Sequence, residues 1–452
     1  MHEHADMLIL GGTILTMDDQ GTIIHHGGIA VRHGELLYVG TEEEARRRFQ
    51  APETLRADSC LLIPGLINAH THAPMTVYRG LADDLPLDVW LKEYIWPAEG
   101  RTVNPHMVYW GTLLAADEMI RAGTTLFVDM YFFEDDIGRA ASDAGMRALL
   151  GEALVEFPSP NAKTPAEGLA YVRASLERWA GHPLVRPILQ PHSTYACSPD
   201  LLVRSKALAD EFGVPWLIHC CETRQEIEDV RRQTGKPPVA LLDSLGILDS
   251  HVIFAHGVHL TEEEIALLAE RGVSIVHCPE SNMKLASGVA PVPRLLQAGV
   301  NVAFGTDGAA SNNDLSLWGD MRTAAMLHKV ASGDPTVLPA RQVFWMATRG
   351  AAKAFGLDDR LGSLEAGKRA DVVMIDLCRP NLIPMYEPYS HLVYALHPSD
   401  VRTVIIEGRL VMRDWEILTF DEEEVFCKIG EMAEELGRQW GRDTDWRKAM
   451  GQ

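Results

Sequence analysis

Short, almost wholly apolar runs alternate along the middle of this chain with longer stretches of helical period. The apolar runs fall at residues 66–70, 124–128, 147–150, 185–190, 215–219, 252–256, 273–277 and 300–307. Between them, residues 106–122, 169–180, 261–271 and 314–330 repeat their apolar positions at the three-to-four spacing of a helix face. Strands that are apolar on both faces belong to a parallel sheet covered by helices. About eight such units over roughly 300 residues predict a closed (β/α)8 barrel of the TIM type. An open doubly wound sheet is the competing architecture, and no Gly-x-Gly-x-x-Gly fingerprint supports it.

The two ends of the chain read differently. Residues 7–10, 13–17, 28–32 and 35–39 are β-rich runs punctuated by Gly11-Gly12, by Asp18-Asp19-Gln20-Gly21 and by His33-Gly34, the last predicting a hairpin. These strands are too few to be stable alone. Residues 370–376 and 403–412 supply matching strands at the far end, the latter turning at Glu407-Gly408-Arg409. Both ends are therefore expected to build one small β-sandwich, from residues 1–63 and 366–420, with the barrel inserted between them at 64–365. The tail, 421–452, predicts a helix: Val425, Ile429, Met432 and Leu436 share a face, and Glu422, Glu423 and Glu424 crowd its first turn.

Composition narrows the partners. The 452 residues carry a net charge of −22, from 41 basic and 63 acidic side chains, which argues against a nucleic-acid partner. No apolar run approaches the ~20 residues that span a bilayer, so no membrane partner is expected. The seven cysteines form no Cys-x-x-Cys pair, and the first residues lack a basic-then-apolar leader. Reduced thiols and a cytoplasmic location follow as expectations. Barrels of this size often pair, so a homo-oligomer is compatible with the chain, although nothing in it specifies one.

The chemistry is concentrated where the predicted strands end. Strand one ends in His70 and His72, which share a face because strand side chains repeat with period two. Strand five ends in His219, strand six in His256 and strand eight in Asp307. In barrels, catalytic groups come from these C-terminal strand ends. Five side chains able to bind a metal, far apart in sequence, are thus expected to converge on one mouth. Glu222 follows His219 by three residues, near enough to move protons without being a ligand.

Pro64-Gly-Leu-Ile-Asn-Ala-His70-Thr-His72, His219-Cys-Cys-Glu222, Ala255-His256-Gly, His277-Cys-Pro-Glu-Ser-Asn-Met-Lys-Leu-Ala-Ser and Gly305-Thr-Asp307-Gly resemble the amidohydrolase superfamily. With Leu91-Lys-Glu-Tyr-Ile-Trp96-Pro-Ala-Glu99, they are similar to its 5′-methylthioadenosine/S-adenosylhomocysteine deaminases. The resemblance implies metal ligands at His70, His72, His219 and Asp307. Three imidazoles and a carboxylate suit zinc, with iron or manganese as substitutes. Two-metal members use a carboxylated lysine near the end of strand four. Here that stretch is Gln190-Pro191-His192, so one divalent ion is expected. The implied reaction is hydrolytic deamination of adenosine, 5′-deoxyadenosine, 5′-methylthioadenosine or S-adenosylhomocysteine to the inosine analogue and ammonia. Asp307 and His256 would orient the attacking water, Glu222 would carry its proton to the ring, and Glu99 and His192 would contact the nucleoside. Trp96 is a candidate pocket wall.

One departure bears on the substrate. Some relatives carry an arginine just after strand three that faces the amino-acid tail of S-adenosylhomocysteine; this chain has Leu150-Gly151-Glu152-Ala153. An acid there would disfavour that tail, so the smaller nucleosides are expected to be preferred. The alternatives are another reaction on an N-heterocycle, such as guanine or cytosine deamination or triazine hydrolysis, and a non-catalytic barrel serving as an assembly subunit. Glu222 and Glu99 favour loss of ammonia from a ribosylated ring, and the complete ligand set disfavours a dead barrel.

Overall fold

The computed structural model describes residues 2–86 and 89–440. Its barrel strands are β1 (Leu66–Thr71), β2 (Thr124–Tyr131), β3 (Arg147–Leu154), β4 in two short pieces (Val185–Pro187 and Gln190–Pro191), β5 (Trp216–Cys220), β6 (Val252–His256), β7 (Ser274–His277) and β8 (Val302–Phe304). Strands β1 to β4 pair in parallel, and so do β5 to β8. Two seams close the cylinder. At one, Thr71 lies beside Asp307, and the Asp307 N–H donates to the carbonyl of His70 at 3.0 Å. At the other, Ser193 lies beside His219, and the His219 N–H donates to the carbonyl of His192 at 3.1 Å. Between strands run helices such as Pro105–Arg121, Pro165–Arg178, Glu262–Arg271 and Leu317–Ser332. The strands are buried along almost their whole length, which is why their sequences are continuous apolar runs and do not alternate.

The strand bounds differ most from the sequence reading at β2, β3 and β8. Strands β2 and β3 run past residues 128 and 150 because they pair on, Tyr131 opposite Glu152. Asp129 and Glu152 are therefore strand residues despite their charge. Thr71 and the Ala73 N–H donate to Asp129 Oδ1, at 2.7 Å and 2.5 Å, which tolerates the carboxyl there. The last strand shortens to Phe304, and Asp307 sits in the bend beyond it with φ 63°.

Both chain ends do meet in a pair of sheets. Among the described residues one has seven strands, in which Cys60–Pro64 pairs antiparallel with Val372–Asp376 from the far end; the other has four, among them the hairpin Gly27–Arg32 and Glu35–Thr41. Ile9, Ile14, Leu62, Val372 and Ile405 fill the core between them. The helix Glu422–Trp440 lies against Pro105–Arg121, where Arg121 pairs with Asp117 and Glu422. The rest of the expected C-terminal helix lies outside the described residues. Among the described residues, no helix is long and apolar enough to cross a membrane.

The sheets are tied to the foot of the barrel by a buried charge pair. Arg147, at the start of β3, reaches both oxygens of Asp371 at 2.8 and 3.1 Å and also pairs with Glu407. Removing one partner of such a pair strands the other charge away from water. Arg147→Ala is expected to destabilise the protein by about 3–5 kcal/mol in chemical denaturation. A surface control, Arg173→Ala in its exposed pair with Glu211, is expected to change stability by less than about 1 kcal/mol.

Candidate active site

The five strand-end residues come together at one mouth of the barrel. His70 Nε2 lies 3.0 Å from His219 Nε2, and Asp307 Oδ1 lies 3.1 Å from His72 Nε2 and 3.5 Å from His70 Nε2. Two of the imidazoles are fixed in tautomer by backbone carbonyls, which only accept. His219 Nδ1–H donates to the carbonyl of His192 at 2.6 Å, and His72 Nδ1–H to that of Met130 at 2.5 Å. Their Nε2 atoms are therefore turned to the cluster, where each can donate to a cation once it carries no proton. Lone pairs facing one another and a carboxylate oxygen, all out of water, form a donor set for a cation. The side chains present thus fit one divalent ion of the zinc type.

Compactness alone does not choose the fourth ligand. One donor atom each from His70, His219, His256 and Asp307 lie within 4.8 Å of one another, a group that contains His256 and not His72. Chemistry separates the two. His72 turns Nε2 to Asp307 Oδ1 at 3.1 Å with Nδ1 held by a backbone carbonyl, whereas His256 turns Nδ1 to Asn282 Oδ1 at 2.9 Å and Nε2 toward Glu222 Oε2 at 3.9 Å.

The charges bear out a site organised around positive charge. Burial holds His70 down to about 4 and His219 well below the usual histidine range. Burial also opposes charge on His72, but the hydrogen bond and charge of Asp307 override it and lift the group to about 9. Burial works against the Asp307 carboxylate too, and its bonds to His70 and His72 outweigh that and hold it well below the usual range.

Several supporting residues carry no sequence signal of their own. Ser281 and Ser311 donate to Asp307 Oδ2 at 2.6 and 2.9 Å, which turns Oδ1 toward the histidines. Glu226 accepts from the Cys221 N–H at 3.1 Å, the Glu222 N–H at 2.8 Å and Thr194 Oγ1 at 3.0 Å, clamping the turn that carries Glu222. Ser281 and Asn282 lie inside the quoted strand-seven motif, yet only the folded chain shows which atoms they hold.

A cavity of about 510 Å³ opens above the cluster. Glu222, His192 and Glu99 all line it, and Trp96 and Phe157 form its rim with ring centroids 6.1 Å apart. Burial raises Glu222 above the ordinary carboxylate range, with the His256 charge opposing. Burial lowers His256, but Glu222 and Asp307 together raise it. His192 lines the cavity and is held to about 3 by burial, so it is neutral. Glu152 is a correction to the sequence reading. It does not line the cavity; its neighbours Ala153 and Val155 do, because alternate strand residues face opposite ways. Its carboxyl is buried behind the wall beside the Glu134 N–H and is pushed up to about 8 by burial.

Residues 61–411 match the amidohydrolase family, and the chain belongs to it. The 5-methylthioadenosine/S-adenosylhomocysteine deaminase of Syntrophobacter fumaroxidans is 50% identical over 425 residues, covering 94% of this chain and 97% of that protein. A deaminase of the same description from Syntrophus aciditrophicus is 50% identical over 434 residues, covering 96% and 98%. Among solved structures, an adenosine deaminase from Xanthomonas campestris with bound zinc superposes with a TM-score of 0.94 at 40% identity, covering 96% of this chain and 99% of that one. Atrazine chlorohydrolase from Arthrobacter aurescens shares the fold, with a TM-score of 0.89 at 24% identity over 94% of this chain and all of that one.

Removing both hydroxyls that hold Asp307 tests the donor set. Ser281→Ala combined with Ser311→Ala is expected to weaken zinc binding about 10- to 100-fold in competition with a chelating dye. An unchanged affinity would show that the serines do not orient the carboxylate.

Proposed function

We propose that the protein hydrolytically deaminates the adenine ring of adenosine-type nucleosides: adenosine, 5′-deoxyadenosine, 5′-methylthioadenosine and S-adenosylhomocysteine. The observation that carries this reading is the placing of Glu222, a buried carboxyl of raised pKa beside His256, directly over the metal-type cluster and open to the cavity. His70, His72, His219 and Asp307 hold the ion, and His256 stays free for the substrate side. A divalent cation held there supplies the Lewis acidity that makes a water nucleophilic near pH 7. Glu222 takes a proton from the attacking water and gives it to the ring nitrogen next to the amino-bearing carbon. The new carbon–oxygen bond forms as that ring double bond opens. Glu222 with His256 then passes the proton of the new hydroxyl to the amino group, the carbon–nitrogen bond breaks as the carbon–oxygen double bond forms, and ammonia and the inosine-type product leave. A carboxyl lifted by burial suits both halves of this shuttle. The similarity to proteins described as deaminases of these nucleosides supports the same reading.

Selection at the 5′ end follows from the wall. No lysine or arginine is among the described residues lining the cavity, and its rim carries Trp96, Phe157 and Pro158. An apolar rim favours a hydrogen, hydroxyl or methylthio group over a zwitterionic tail, whose carboxylate would lose water with no cation to meet it. The preference for small substrates is proposed on this ground and not on a repelling Glu152.

Two measurements test this. Glu222→Gln is expected to lower kcat by about 10²- to 10⁴-fold with zinc content unchanged by atomic emission. Wild-type activity retained in that variant would remove Glu222 from the proton path. In a 5′ series, kcat/KM for S-adenosylhomocysteine is expected to fall at least about tenfold below that for 5′-methylthioadenosine, a difference of roughly 1.4 kcal/mol. Equal values would contradict the apolar-rim argument.

A further inference from the structure

Glu99 hangs from the helix Trp96–Thr102, outside the barrel strands, yet its carboxyl enters the cavity. No arginine, lysine or histidine forms an ion pair with it among the described residues. Its partner is a phenol. Tyr131, the last residue of β2, donates its O–H to Glu99 Oε1 at 2.8 Å. The Tyr131 ring is buried, 3% exposed, and also lines the cavity. Oε2 of Glu99 receives no hydrogen bond from the described residues and is not among their fully buried orphan atoms. The same helix is pinned from below, where Tyr78 shares a hydrogen bond with Thr102 Oγ1 at 2.7 Å and Thr102 in turn donates to the carbonyl of Ala98 at 2.8 Å. A carboxylate on a short helix is free to rotate about its terminal bonds. A phenol held by a barrel strand removes that freedom from one oxygen and leaves the other to the cavity.

We infer that Tyr131 is a positioning residue for substrate recognition: its hydroxyl locks the Glu99 carboxylate so that Oε2 accepts the vicinal hydroxyls of a ribose. This rests on the reading above, in which Glu99 meets the sugar. The geometry assigns Tyr131 a role in binding and none in bond making, since Glu99 lies on the helix Trp96–Thr102 and Glu222 on the turn after β5. Burial presses Glu99 up to about 7, and the Tyr131 O–H works in the opposite direction by stabilising the ionised form, the better acceptor for two hydroxyls.

The test compares adenosine with 2′,3′-dideoxyadenosine on the zinc-loaded enzyme. Wild type is expected to favour adenosine in KM. Tyr131→Phe is expected to raise KM for adenosine about tenfold with kcat within about twofold, and to leave KM for the dideoxy compound unchanged. Glu99→Gln is expected to abolish most of the discrimination, and adding Tyr131→Phe to it to change little, because the two groups act as one unit. Should Tyr131→Phe fail to fold, Tyr131→Met, which also removes the donor, takes its place. A wild type that deaminates neither compound would overturn the proposed function itself. An active wild type whose Tyr131 variant keeps full discrimination, or loses affinity equally for both compounds, would overturn the role of Tyr131 alone.

Discussion

Imidazole nitrogens and a carboxylate oxygen brought together out of reach of water repel one another or waste their hydrogen-bonding capacity unless positive charge lies among them. That constraint governs this molecule. His70 is 0% exposed, His219 5% and Asp307 6%, and their donor atoms face each other at hydrogen-bond distance. The surrounding bonds forbid the easy escape of turning the lone pairs away. The carbonyls of His192 and Met130 take the Nδ1 protons of His219 and His72, and the serines occupy the far oxygen of Asp307. The cluster is thereby preorganised for a cation, and the fold bears the desolvation before any ion arrives.

The cylinder and the site are one construction. The two seams that close the barrel are made by the backbones of His70 with Asp307 and of His192 with His219. Anything that opens a seam therefore also disperses the donors. Backbone strain gathers at the same rim. His256, Asp307 and Cys221 have φ of 75°, 63° and 58°, in the left-handed region that residues other than glycine seldom adopt. Each is held by a specific bond: His256 to Asn282, Asp307 to its two serines, and Cys221 to Glu226. Placing a side chain over the mouth requires the chain to leave its strand abruptly, and these bonds offset the strain of doing so.

How much of this was legible in the sequence depended on whether a signal was periodic or merely local. Parallel strands buried on both faces write themselves as apolar runs, so the barrel and its strand-end histidines could be read from residues alone. The sandwich was legible because its strands alternate with turn residues at both ends of the chain. Strand ends were less legible: pairing with a neighbour carried β2 and β3 through polar residues that ordinarily break a run. For the same reason Glu152 was expected at the pocket, when the pleat sends it behind the wall. The supporting shell was not legible at all. Ser281, Ser311, Glu226 and Tyr131 are ordinary residue types at unremarkable spacings, and only tertiary contact gives each its partner. His72 lies just past the end of β1 and His256 ends β6, both at the cluster, so their different duties had to be argued from tautomers and neighbours.

Four buried carboxyls, three lining the cavity and Glu226 behind it, do different things because their surroundings differ. Asp307 lies against histidines and is held ionised. Glu226 faces backbone N–H groups and a hydroxyl; burial lifts it to about 7, and its work is to shape the turn before it. Glu99 answers to a phenol, a partner that orients without neutralising. Glu222 alone has a histidine on one side, a long 3.4 Å contact from Ser287 on the other, and otherwise open cavity. With the weakest tether of the four and a carboxyl raised by burial above its ordinary range, it is the one with the freedom of movement that the proposed proton shuttle asks for.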